Sequence, residues 1–343
     1  KLDPHIHNLV KDQGVTRIQY NGSIYIMKPV PELGFTVVAW AALKPLAETW
    51  HKQLLIWLPF GILISLLAAL FVLRLLRRIQ SPRNRLLDAI NNREFVVHYQ
   101  PIIELSSGKI VGAEALTRWP QPDGSSLSPD IFVPLAEQTG LISQLTHLVI
   151  EKVFEDMGYW LHLHDGQHIS INLARDGQRL PVSPRRACWT WENPPPLLSH
   201  LMNKWKVHPQ QIALELTERG FADPKISAPA IAAFRHSGHA IYIDDFGTGY
   251  SSLSYLQDLD VDTLKIDKAF VDALEYKNVT PHIIEMAKSL KLAMVAEGVE
   301  TEGQLAWLRR HGVQYGQGWY YSKALPKADF ILWAEDNLKT HPT

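Results

Sequence analysis

The chain has 343 residues, with 34 Lys and Arg against 35 Asp and Glu, for a formal charge of −1. That balance excludes the basic footprint of a nucleic-acid polymer binder, which needs many Lys and Arg to neutralise phosphates. Cys188 is the only cysteine, so no internal disulfide forms, and the length accommodates one large domain plus a smaller piece.

In chain order, residues 1–50 read as the C-terminal part of an extracytoplasmic sensor domain of α+β type. The opening Lys1, where a start would carry Met, is expected of a fragment or a processed product. Arg17 to Met27 alternates around Asn21-Gly22, a strong hairpin signal. Phe35 to Ala41 reads as another strand. Leu54 to Leu73 carries no charge. At about 1.5 Å per helical residue it matches the ~30 Å hydrocarbon core of a bilayer. Pro59 and Gly61 do not exclude a span, because membrane helices tolerate both. The run is internal and too long for a cleavable signal peptide. Trp40, Trp50 and Trp57 suit a membrane-interface or core role better than base stacking.

Residues 74–85 form a basic juxtamembrane linker with Arg74, Arg77, Arg78, Arg83 and Arg85. Only Lys44 and Lys52 lie close before the span. The positive-inside bias places the C-terminal side in the cytoplasm, as expected of a bacterial inner-membrane protein.

Residues 86–338 alternate short apolar runs with helix-length segments. The runs are 95–100, 110–116, 168–173, 212–216, 240–245, 263–266, 293–297 and 313–318. Thr280-Pro281 predicts a capped helix start, and Thr301 with Gln304 predicts a capping box. This alternation predicts an α/β fold, a TIM-barrel-like (β/α)8 domain whose strand ends converge on one mouth. Glu114, Asn172, Glu215, Asp244, Asp245, Lys265, Glu297 and Gln317 fall at or near those strand ends. Carboxylates gathered there repel one another and raise their pKa values unless cations neutralise them. Oxygen donors without His or Cys suit Mg²⁺ or Mn²⁺ rather than Zn²⁺. The fifteen histidines show no metal-ligand spacing, and the glycines of Phe246–Tyr250 do not make a dinucleotide-binding fingerprint.

Seven segments in order carry a family resemblance. They are Glu114-Ala115-Leu116 with Thr117-Arg118-Trp119, Phe132–Ile142, Glu215–Glu218, Asp244–Ser252, Leu264–Asp267, Ala296–Glu300 and Gln317-Gly318. From about residue 86 to 335 the chain resembles the EAL family of cyclic di-GMP phosphodiesterases. The resemblance implies hydrolysis of cyclic di-GMP to linear pGpG with two ions, Mg²⁺ or Mn²⁺. It implies one metal on Glu114, Asn172, Glu215 and Asp244, and a second on Asp244, Asp245 and Glu297. Lys265 would orient or deprotonate the attacking water, Glu297 is the rival base, and Glu218 would brace the Gly247–Ser252 loop. Gln100, Leu116 and Arg118 would contact the dinucleotide, and Gln317 would lie beside the metals. A membrane-anchored homodimer controlled by the sensor segment completes the expectation. No cyclase-type GGDEF sequence is present, so synthesis is not expected from this chain.

The resemblance breaks over residues 175–200, where Pro181, Pro184 and Pro194–Pro196 forbid a continuous helix and Ala174 replaces a family Ser. That stretch is a genuine loop or a short misread frame. Two other functions stay open: a catalytically silent cyclic di-GMP receptor, and a membrane scaffold. All the acidic metal positions are present, which speaks against the first, and a scaffold needs no carboxylate-lined mouth.

Overall fold

The computed structural model describes residues 14–79, 81–173, 196–217, 224–246, 259–274 and 279–341. They form two compact units, Lys1–Gln80 and Ser81–Thr343. Most of the atypical 175–200 stretch lies outside the described residues, as does Glu218.

In the first unit, strands β1 (Thr16–Tyr20) and β2 (Ser23–Val30) form an antiparallel hairpin, and β3 (Phe35–Ala42) pairs antiparallel with β2. The two turn residues are both left-handed, Asn21 at φ 44° and Gly22 at φ 72°. A tight turn of that kind matches the twist of its strands, and Asn-Gly adopts it at low cost. A helix, Leu43–Ile79, follows and continues past Pro59. Within it Trp50–Arg74 has a mean hydropathy of 2.6 and none of it is buried. It is long and apolar enough to cross a membrane, and it contains the expected 54–73 run.

The second unit is a closed barrel. Its strands are β4 (Val96–Glu104), β5 (Ile110–Pro120), β7 (His168–Leu173), β8 (Ile212–Thr217), β9 (Ile241–Phe246), β10 (Thr263–Ile266), β11 (Ala293–Ala296) and β12 (Tyr315–Gly316). The order is β4-β12-β11-β10-β9-β8-β7-β5, and the β4–β5 pairing closes the ring. Short strands β6 (Ser126–Leu127) and β13 (Leu325–Pro326) extend β5 and β4. The outward strand residues Ile169, Ile171, Ile212, Leu214, Ile243 and Leu264 are fully buried. Helix Ile142–Leu163 offers a matching stripe that includes Val153, Phe154, Met157 and Leu161.

The ring departs from a uniformly parallel barrel at one place: β4 runs antiparallel to both β5 and β12. Only Leu105–Lys109 joins β4 to β5, far too short for a helical crossover, so the pair must be a hairpin. Both strands also outrun the sequence expectation, β4 reaching Glu104 and β5 reaching Pro120. Gln100 and Glu114 are therefore opposed in mid-strand rather than standing at strand ends. A second correction concerns Thr280. The helix there is Val279–Ser289, so Thr280 lies inside it, and its hydroxyl donates to the Phe270 carbonyl (3.0 Å) instead of capping. The capping box at Thr301 and Gln304 forms as expected.

Candidate active site

The parallel strands deliver their functional residues by register. Asn172 of β7 stands opposite Glu215 of β8, and Thr217 of β8 stands opposite Asp244 of β9. Between β9 and β10 the register slips: Leu264 pairs with Ile243, but Ile266 pairs with Phe246. Asp244 and Asp245 together thus oppose Lys265. A bulge of this kind re-aims side chains beside functional sites. The side chain of Asp245 is outside the described residues.

Lys265 occupies the centre. Its side chain is 1% exposed, and Nζ lies 2.6 Å from Glu297, 2.8 Å from Glu215, 3.1 Å from Glu114 and 3.4 Å from Asp244. Asn172 Nδ2 donates to Glu114 Oε1 (2.9 Å). Gln317 Nε2 donates to Glu114 Oε2 (2.6 Å) and Glu297 Oε1 (3.3 Å). Backbone bonds fix these donors. Gln317 N–H reaches Ala296 O (2.8 Å), and Val299 N–H reaches Gln317 O (3.0 Å). Gly318 permits the crossing, since a Cβ there would lie 2.2 Å from Val299 backbone atoms.

One ammonium among four carboxylates leaves a net negative charge in a buried space. Burial opposes the charge on Lys265, but Glu114, Glu215, Glu297 and Asp244 together outweigh it and hold its pKa well above the usual lysine value. Glu297 is pushed up to about 8, mainly by burial, against the pull of Lys265. Burial, then repulsion from Glu114, drives Glu215 well above the carboxylate range. Glu114 goes the other way. Burial would raise it, but Lys265 and the hydrogen bonds from Gln317 and Asn172 hold it low.

The donor set fits a cation. Ligand oxygens of Glu114, Glu215 and Asp244 all lie within 4.8 Å of one another. Glu215 Oε1 and Gln317 Oε1 are buried without a hydrogen-bond partner among the described residues. Such orphaned oxygens are costly unless something positive satisfies them.

The expected substrate contacts line one wall. On β5, Glu114, Leu116 and Arg118 share a face by strand alternation, and Gln100 of β4 lies opposite Glu114. Gln100 Nε2 donates to the Ser322 carbonyl (3.3 Å), tying β4 to the segment after Gln317. Arg118 donates to its neighbour's carbonyl at Thr117 (3.0 Å) and remains half-buried. The same wall carries His98, opposite Leu116, which motif reading passed over. Its only sequence signal was its position two residues before Gln100 on one strand.

A family model described as EAL domain matches residues 83–324. Two curated relatives come from Escherichia coli K12. One, named "probable cyclic di-GMP phosphodiesterase PdeB", is 65% identical over 94% of this chain and 60% of its own length. The other, named "probable cyclic di-GMP phosphodiesterase PdeG", is 35% identical over 79% of this chain and 54% of its own. The chain therefore spans little more than half the length of these relatives. Among solved structures, "PaMucR Phosphodiesterase, c-di-GMP complex" is 32% identical with a TM-score of 0.62, covering 72% of this chain and 99% of that one. A structure of the EAL enzyme Bd1971, in its cAMP and cyclic-di-GMP bound form, is 28% identical with a TM-score of 0.66, covering 88% and 82%.

Proposed function

The chain belongs to the EAL family, and from that premise we propose that its barrel hydrolyses cyclic di-GMP to linear pGpG. The observation that carries this is the buried group of Glu114, Glu215, Asp244 and Glu297 around Lys265.

Glu114, Asn172, Glu215 and Asp244 would hold one divalent ion, and Asp244, Asp245 and Glu297 a second, Mg²⁺ or Mn²⁺. Bound there, the pair would supply charge to acidify a water and to stabilise the leaving oxygen. The Asp244–Asp245 bulge opposite Lys265 suits two adjacent carboxylates to a shared site. Water adds to phosphorus, and the bond from phosphorus to the 3′ oxygen breaks. One water proton is accepted by a protein base, and the 3′ oxygen gains a proton. Lys265, when cationic, acts as a donor that orients the water. Lys265 and Glu297 are the two candidates for the base that accepts the water proton. Gln317 keeps Glu114 and Glu297 in place through its amide. Leu116 and Arg118 face the substrate from the β5 wall, Arg118 as a charge-assisted donor to phosphate. Glu218 would brace the loop that follows β9.

Trp50–Arg74 would anchor the protein in the bacterial inner membrane, with the barrel cytoplasmic, where its nucleotide is. The arginines after the span support that orientation. A reporter fused after residue 80 should read as cytoplasmic and one near residue 45 as external. The reversed pattern removes the barrel from its substrate. Control by the extracytoplasmic segment and assembly as a homodimer belong to the same proposal, and sedimentation in detergent reads the second.

The test of the activity uses the purified chain with cyclic di-GMP and chromatographic product analysis. Excess EDTA should abolish turnover, and Mg²⁺ or Mn²⁺ should restore it. Ca²⁺ should inhibit, because its longer bonds and looser geometry mis-space the site. Full activity in EDTA contradicts the metal-dependent mechanism. Tight binding without turnover in Mg²⁺ or Mn²⁺ replaces the enzyme with a receptor.

A further inference from the structure

The β4–β5 hairpin presents six residues in a row of three opposed pairs: Gln100 with Glu114, His98 with Leu116, and Val96 with Arg118. Directly opposed residues of an antiparallel pair lie on the same face, and alternate residues of a strand repeat it. The register runs without a shift from Val96 to Ile102, so all six share the inner face. Successive pairs are about 7 Å apart along the strands. The carboxylate layer thus lies at Gln100–Glu114, the His98–Leu116 pair stands one step further out, and Arg118 one step beyond that. The flanking Val97 and Tyr99 point the other way and are buried, 4% and 0% exposed, in the core between barrel and helices. His98 is only half-buried, so packing does not account for it. Strand β13 pairs with β4 at this point, Pro326 standing opposite His98.

Resting on the phosphodiesterase reading above, we propose that His98 is a substrate-positioning residue that accepts a hydrogen bond from the nucleoside part of the dinucleotide. The neutral imidazole carries one donor nitrogen and one acceptor nitrogen. Burial and the nearby charge of Arg118 both favour that neutral form. The acceptor stands between the layer where phosphate chemistry takes place and the guanidinium of Arg118. A base or a ribose would follow the phosphate at that height. The donor it meets is a base N–H or a ribose 2′-hydroxyl.

The experiment uses the full chain in detergent, with steady-state kinetics in Mn²⁺ and calorimetric binding in Ca²⁺. His98→Phe keeps the ring volume and removes the acceptor. KM and Kd for cyclic di-GMP should rise about tenfold, with a smaller fall in kcat, the loss expected for one hydrogen bond. His98→Gln, which keeps both a donor and an acceptor, should recover most of that loss. The 2′-deoxy analogue separates the two donors. If the hydroxyl is the partner, His98→Phe no longer weakens binding of the analogue; if a base N–H is, the loss persists. Unchanged KM and Kd in His98→Phe overturn the proposal, and so does a loss that His98→Gln fails to recover. A wild-type chain that neither binds nor hydrolyses cyclic di-GMP overturns the parent reading instead, and this proposal with it.

Discussion

The two units invert each other's chemistry. In the barrel, Lys265 and Glu215 are 0% exposed and charge lies at the centre, wrapped by Ile, Leu and Val. In the N-terminal unit, Leu55 is 74% exposed and Phe71 69% exposed, on a helix whose apolar residues face outward. Buried charge persists where opposite charge or a metal compensates it, and an uncovered apolar helix persists where the surroundings are hydrocarbon. The contrast teaches that each unit's unusual residues point to a different test: of a cation in the charged centre, and of a hydrocarbon surrounding for the apolar helix.

The largest expected effect comes from breaking the charged centre. Glu114→Ala and Asp244→Ala each remove a carboxylate from a group whose ligand oxygens lie within 4.8 Å of one another. Turnover should fall on the order of 10³-fold or more, since metal stabilisation of developing charge is worth several kcal/mol. Either variant turning over at the wild-type rate would detach the cluster from the chemistry.

Removing the internal cation is the next test. Lys265→Met leaves four carboxylates facing one another without their shared partner. Stability in EDTA should drop by about 3–5 kcal/mol, the cost of breaking a buried ion pair from one side. Mn²⁺ should restore much of it, because a divalent ion supplies the missing charge. Thermal unfolding in EDTA and in Mn²⁺ reads both arms, and a metal-independent Tm equal to wild type would refute the compensation argument.

The helix should respond in the opposite sense. Adding a charge with Leu63→Arg, near the middle of Trp50–Arg74, should cost membrane insertion about 3 kcal/mol. An insertion assay checks this, and indifference to the charge would return the helix to the class of soluble elements.

The smallest expected effect is acid sensitivity of the barrel floor. His168 stacks its ring against Gly112, bonds Tyr242 (2.9 Å), and has a pKa lowered to about 4, chiefly by burial. The unfolded chain binds this proton below pH ~6.5 while the folded one does not. Stability is therefore full above that value and falls as the pH drops toward about 4. The loss is at most about 3 kcal/mol by linkage. His168→Gln should flatten that part of the profile in urea melts, and an unchanged slope would assign the sensitivity elsewhere.

Much of the barrel was legible because its strands are short, apolar and bounded by turns. The segments 168–173 and 263–266 match their strands residue for residue. Asn21-Gly22 also behaved as its chemistry requires. Strand direction was not legible, since a buried parallel strand and a buried antiparallel one read alike. Only the brevity of Leu105–Lys109 betrays the reversal of β4, and with it the mid-strand position of Glu114. Motifs located the acids, but their ion pairing with Lys265 depends on which strands become neighbours across the mouth. His98 was invisible for a related reason: its partner Leu116 and the diagonal Arg118 come from the paired strand, not from adjacent sequence.

The most direct test of the account is the fate of oxygen. The purified chain with Mn²⁺ and cyclic di-GMP in ¹⁸O-labelled water should yield linear pGpG carrying one ¹⁸O in its 5′-phosphate. Intact, unlabelled cyclic di-GMP after saturating binding would contradict it, and would make the barrel a receptor rather than an enzyme.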